Sequence, residues 1–295
     1  MNLNATDKSK RKISIAYSPD TDDAFMVLAL REKNVDWDDF DFEFFIADIQ
    51  ELNDAAKNQR YDITAISVGA YPLIKEDYLL MPIGASIGDQ FGPAVVVKPG
   101  SDFKISDLRG RRIAVPGLTT TAHIAAQSLF GPFEAIPMHF MEIRDAVLNK
   151  KVDAGILIHE LQMDPNTAGL QKLGDLGSMW YTKHNLPLPL GANAIKRNFG
   201  QDTIQKLSDI YLRSIEFGLK NRRETIRSAV TSAIAKGSLD LEKGDKYISM
   251  YVNERSLRFH DDVIRGIQLI YEHGFDRGFL PQVDVHNNLS SVNKE

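Results

Sequence analysis

Along the first third of the chain, short apolar runs alternate with stretches whose apolar positions recur every three or four residues. The runs "ISIAYS" (13–18), "FEFFI" (42–46) and "DITAIS" (62–67) read as strands, and "DDAFMVLAL" and "IQELNDAAKN" between them as helices. This βαβαβ order predicts a mainly parallel sheet with helices on its faces. "PAVVVK" adds a buried strand, and the turn-rich "KPGSD" (98–102) predicts a crossing point.

A second unit follows. "RRIAVP" reads as a strand, "TTAHIAAQSLF" and "RDAVLNKK" as helices, and "DAGILI" as a strand. The proline-rich "HNLPLPLGANAI" (184–195) reads as an extended segment carrying the chain back. The rest is helical: Ile204, Leu207, Tyr211 and Ile215 share one helix face, and "DDVIRGIQLIYEHG" ends on Gly274, a helix-stop signal. "HNNLSSVNKE" reads as a disordered tail. The expected architecture is α/β with two domains: a discontinuous one (13–97 and 196–281), an inserted one (98–195), and flexible termini (1–12 and 282–295). Two crossing segments imply a cleft between the domains, a preferred place for a small-molecule ligand.

Composition narrows the classes. The 295 residues are 43% hydrophobic and 25% charged, ordinary for a soluble globular chain. A net charge of -5 without a basic run argues against a nucleic-acid partner. The lack of cysteine excludes disulfides, thiolate metal sites and a cysteine nucleophile. The polar, basic start has no apolar signal core, and no stretch has the ~18–20 apolar residues of a membrane span, so the expectation is a cytoplasmic protein without a membrane partner.

Three strand–turn–helix junctions could carry chemistry: "SPDTDDAF" (18–25), "ISVGAY" (66–71) and "VPGLTTTAH" (115–123). Ligands of open parallel sheets sit beyond the carboxyl ends of strands, where free N–H groups and the helix dipole favour anions. The hydroxyls of Ser18, Ser67, Thr119, Thr120 and Thr121 could add hydrogen bonds there, or serve simply as helix caps. Asp20, Asp22 and Asp23 suit a helix start but oppose an anionic ligand. In "DAGILIHE" (153–160) an apolar strand ends on His159 and Glu160. Strand alternation predicts that His159 faces the cleft as a general base and Glu160 turns to the other face. His123 and His184 read as structural or solvated. No "HExxH", P-loop, "GxGxxG" or "GxSxG" is present.

Taken in order, "SPDTDDAF", "DITAISVGAYP", "FGPAVVVK", "IAVPGLTTTAHIA", "VDAGILIHE", "DLGSMWYTKHNLPLPLG" and "YISMYVNERSL" make the chain resemble the futalosine-route menaquinone-biosynthesis family over residues 13 to 281. The resemblance implies a two-domain, periplasmic-binding-protein-like (type II) fold with the site in the interdomain cleft. It implies a lyase reaction, cyclic dehypoxanthinyl futalosine to 1,4-dihydroxy-6-naphthoate, without metal or redox cofactor. It carries over His159 as the base, Ser67, Thr121 and Ala122 with Thr120 beside them as substrate-binding groups, and the first turn, with Ser18, Asp20 and Asp22, as part of the same site. The chain departs from the family's pattern where Asp20 replaces a cysteine, Asp22 an asparagine, and "LQM" the "GRF" after "IHE". The alternatives are a diverged family member or solute-binding protein holding another small polar or acidic ligand, and a dehydratase of the chorismate-dehydrating sister group. Oligomeric state is left open, a homodimer among the options.

Overall fold

The chain builds two sheets whose central strands are covered on both faces, which is why their sequences are almost continuously apolar. The computed structural model describes residues 10–232 and 241–291. The strands are β1 (Arg11–Tyr17), β2 (Phe40–Ile46), β3 (Ile63–Ser67), β4 (Tyr78–Gly88), β5 (Ala94–Val97), β6 (Arg112–Val115), β7 (Glu134–Pro137), β8 (Ala154–Leu157), β9 (Gln171–Asp175) and β10 (Leu188–Lys196). The helices are α1 (Thr21–Arg31), α2 (Ile49–Lys57), α3 (Thr121–Phe130), α4 (Phe140–Leu148), α5 (Leu176–His184), α6 (Gln201–Lys220), α7 (Arg222–Ser232), α8 (Leu241–Tyr251), α9 (Glu254–Leu257) and α10 (Asp261–Asp276).

The strand orders are β2-β1-β3-β10-β4 and β7-β6-β8-β5-β9. In each sheet three parallel strands adjoin a strand that runs antiparallel to both its neighbours and is the first after a crossing between the sheets: β10 in the first sheet, β5 in the second. The chain therefore changes sheets between β4 and β5 and again between α5 and β10. The expected boundaries at 97/98 and 195/196 are each displaced by one strand. "KPGSD" is a turn inside the second unit, closed by Ser101 N–H donating to the Lys98 carbonyl at 3.2 Å. "PLPLGANAI" is a paired strand, and its pairing with β4 shifts register between Pro189 and Gly191, beside a proline that has no N–H to give to a ladder.

Apolar packing continues across the change of sheets. One core cluster joins Leu80 and Ile87 of β4 to Val95 of β5, Ile113 of β6 and Trp180 of α5, all fully buried. A second lies under the first sheet and includes Ile204, Leu207, Tyr211 and Ile215, the predicted face of α6.

Two further expectations are corrected. Gly274 does not stop α10, which runs to Asp276; a side chain at Gly274 would lie 2.4 Å from Leu280, so the glycine gives the returning chain room to pack. The segment from 282 is not loose up to residue 291: Val283 and Val285 are buried, Ser290 N–H donates to the Leu80 carbonyl at 2.8 Å, and Arg197 donates to Asn288 Oδ1 at 2.6 Å. Val283 and Val285 join the core cluster that holds Leu80, and Leu289 pairs with Leu80 of the edge strand β4. Lys12 and Arg11 belong to β1; residues 1–9 and 292–295 lie outside the described residues. No described helix is long and apolar enough to cross a membrane.

Candidate functional site

The carboxyl ends of β1, β3, β6 and β8 converge on the gap between the two sheets. Ser18, Asp20, Asp22, Ser67, Thr120, Thr121, Ala122 and His159 line one cavity there, with an empty space of about 650 Å³ including its open mouth. No lysine or arginine among the described residues lines it, although strand ends and helix starts of this kind favour anions. Among the described residues no group of three or more His, Asp or Glu is arranged to hold a metal ion.

His159 is 4% exposed and sits two residues past the end of β8, its ring 3.8 Å from that of Phe140 between centroids. Its Nδ1 touches Asp20 Oδ1 of the β1–α1 turn, and its Nε2 has no partner among the described residues. Burial opposes the imidazolium, but the charge and hydrogen bond of Asp20, with Glu160 and Asp48 beyond, outweigh it and raise the histidine to about 9. Burial raises Asp20 to about 7, against the pull of His159. The pair is therefore an imidazolium–carboxylate pair between these two values. The backbone of His159 lies at φ 61°, ψ −168°, a region that side-chain-bearing residues rarely occupy and that costs roughly 1–3 kcal/mol.

The other two aspartates are also desolvated. Asp22 is 4% exposed; its Oδ2 accepts from the Ser86 hydroxyl at 2.6 Å, while its Oδ1 is buried without a partner among the described residues. Burial, with Asp23 adding to it, raises Asp22 to about 7. Asp23 accepts from Ser18 N–H at 3.1 Å; burial and then Asp20 raise it to about 6.

The hydroxyl groups are mostly spent on structure. Thr120 caps α3, accepting from His123 N–H at 3.3 Å and donating to the Gly117 carbonyl at 2.7 Å. Thr121 Oγ1 ties the sheets together, accepting from Gly69 N–H and donating to the Leu190 carbonyl, both at 2.9 Å. What α3 offers the cavity is backbone: the amides of Thr121 and Ala122, in the first turn, have no partner within the helix. Ser67 is held by Asn53, which accepts from its N–H at 2.8 Å and donates to its hydroxyl at 3.3 Å.

Glu160 is not turned away from the cleft partner. β8 ends at Leu157, so strand alternation no longer governs residues 159 and 160. Glu160 Oε1 instead accepts from Thr21 N–H at 3.2 Å and Thr21 Oγ1 at 2.9 Å, at the start of α1. Ser86, Gln162, Leu190, Gly191, Tyr247 and Tyr251 also line the cavity and were not expected to. Tyr247 and Tyr251 fall one helical turn apart in "YISMY", a spacing visible in sequence; Ser86 and Gln162 give no local signal.

Two α/β sheets of matching strand order, crossed twice by the chain and enclosing a cavity, define the periplasmic-binding-protein-like class. The alkanesulfonate-binding protein SsuA from Xanthomonas axonopodis pv. citri shares the fold, with a TM-score of 0.71 and 14% identity over 97% of this chain and 99% of that one. The chain belongs to the menaquinone-biosynthesis family, whose model, described as "Menaquinone biosynthesis", matches residues 13–276. A Streptomyces coelicolor protein named 1,4-dihydroxy-6-naphtoate synthase is 32% identical over 91% of this chain and 95% of its own. A crystal structure of an Archaeoglobus fulgidus protein is 38% identical with a TM-score of 0.84, covering 91% of this chain and 98% of that one.

Proposed function

We propose that this protein is a 1,4-dihydroxy-6-naphthoate synthase that converts cyclic dehypoxanthinyl futalosine in menaquinone biosynthesis, as a lyase with His159 as the base. The observation that carries the reading is the Asp20–His159 pair at the cavity, with the imidazole held at Nδ1 and free at Nε2. A carboxylate on Nδ1 fixes ring orientation and tautomer and strengthens Nε2 as a base. His159 Nε2 takes the proton from the carbon next to a carbonyl. The electron pair moves onto the carbonyl oxygen, where the open amides of Thr121 and Ala122 and the positive end of α3 support the negative charge. Collapse of that enolate expels the leaving group on the neighbouring carbon, and the imidazolium returns the proton to it. Ser67, with Ser18 and Thr120 in the adjoining walls, completes the substrate cradle.

The reading is tested by incubating the purified chain with cyclic dehypoxanthinyl futalosine and following 1,4-dihydroxy-6-naphthoate by liquid chromatography and mass spectrometry. Product is expected, and His159→Asn should lower turnover by roughly 10²-fold or more. A protein that binds the compound without converting it would be a diverged binder, a reading to which the cation-free cavity lends weight.

A further inference from the structure

The cavity has two walls of opposite hydrogen-bonding character. The α3 wall presents donors, the amides of Thr121 and Ala122. Elsewhere two buried acceptor oxygens, on side chains that line the same cavity, have nothing to accept from among the described residues. Asp22 Oδ1, from the first sheet's α1, has no partner, its other oxygen being held by Ser86 at 2.6 Å. Gln162 Oε1, from the turn after β8 in the second sheet, also has none, its amide nitrogen being committed to the Tyr251 hydroxyl at 2.8 Å. Both side chains are 4% exposed. A buried acceptor without a donor costs free energy that only a ligand group or water can recover.

We infer that Asp22 Oδ1 and Gln162 Oε1 form a hydroxyl-recognising subsite, taking O–H donors of the substrate and rejecting an anionic or apolar group there. This deepens the synthase reading and rests on its placing the substrate in this cavity. Recognition of a hydroxyl by buried acceptors already held at their other atom has a clear physical sign. No lysine or arginine among the described residues lines the cavity, so a second carboxylate beside Asp22 would meet like charge there. A ligand lacking the hydroxyls leaves both acceptors buried and unpaired, the arrangement that gives polar sites their strongest discrimination.

The test is calorimetry at pH 8 with two ring carboxylates of matched size, shikimate, which carries vicinal hydroxyls, and cyclohex-1-ene-1-carboxylate, which carries none. The unmodified protein should bind shikimate about 10–100-fold more tightly, the worth of one hydrogen bond to a charged acceptor or somewhat more. Asp22→Leu and Gln162→Met should each bring the ratio close to one by weakening shikimate alone. Asp22→Asn, which keeps an acceptor oxygen, should hold most of it. Equal binding of the two acids, no binding of either, or a ratio untouched by both substitutions would overturn the inference; the wild-type comparison does so without relying on any variant folding. Turnover of cyclic dehypoxanthinyl futalosine is scored separately. Turnover without diol selectivity sinks this inference and leaves the synthase reading standing, and selectivity without turnover does the reverse.

Discussion

Glu160 Oε1 accepts from both the backbone amide and the hydroxyl of Thr21, so a residue that follows a strand of the second sheet caps the first helix of the first. The helix loses an orphan N–H, the carboxylate gains the positive end of a dipole, and the neighbouring Asp20 is held against His159. Glu160→Ala should cost about 1–2 kcal/mol in urea unfolding. It should also raise KM roughly five- to thirtyfold, because the bond forms only with the sheets together. Glu160→Gln keeps an acceptor and should lose less on both counts. An alanine variant with unchanged KM would mean that the contact does not contribute to closure.

The Asp20–His159 pair sets the pH dependence. The base form needs His159 without its second proton, and Asp20 holds that proton up to about 9. In the free protein kcat/KM should therefore climb with pH towards about 9, well above the ordinary histidine range near 6.5. Asp20→Asn should move this limb to lower pH and reduce the plateau, since the ring loses both its charge partner and its orientation. A limb that stays put in Asp20→Asn would assign it to another group.

The backbone of His159 offers a test of strain independent of activity. At φ 61°, ψ −168° glycine is at ease and alanine is not. Both His159→Gly and His159→Ala remove the imidazole and leave Asp20 without it, so their difference isolates the backbone. His159→Gly should be more stable than His159→Ala by about 1 kcal/mol in denaturant titrations, the reverse of the usual order. Alanine the more stable would show the strain to be absent in solution.

Asp22 links stability to pH. Its folded-state value is raised from 3.8 to about 7, so its stabilising contribution is full at acid pH and is lost as pH rises through about 7. Asp22→Asn removes this titration. Relative to the unmodified protein, the variant should gain on the order of 2 kcal/mol between pH 5 and pH 8. Thermal and urea unfolding at the two pH values measure it. A difference independent of pH would mean that Asp22 ionises without penalty in the fold.

Much of the architecture is local and was legible. Apolar runs such as "ISIAY" and "DAGIL" can only be satisfied by burial on both faces, and the spacing of Ile204, Leu207, Tyr211 and Ile215 allows only one face of a helix to be apolar. Polar groups placed at strand ends follow from the same logic, and the strand ends single out Ser18, Asp20, Asp22, Ser67, Thr120, Thr121, Ala122 and His159, which line one cavity. Local pattern does not carry pairing between distant segments. β5 pairs with β8 and β9, and β10 with β3 and β4, pairings between segments far apart in sequence that neither run shows alone. The same holds for Glu160 meeting Thr21 over 139 residues of sequence. It holds too for Asp20 pressed on His159, and for Asp22 Oδ1 and Gln162 Oε1 left without donors. Which polar group is desolvated, and beside what, depends on how the two sheets close on each other, and so the proton affinities and the ligand preference of this site are properties of the tertiary structure.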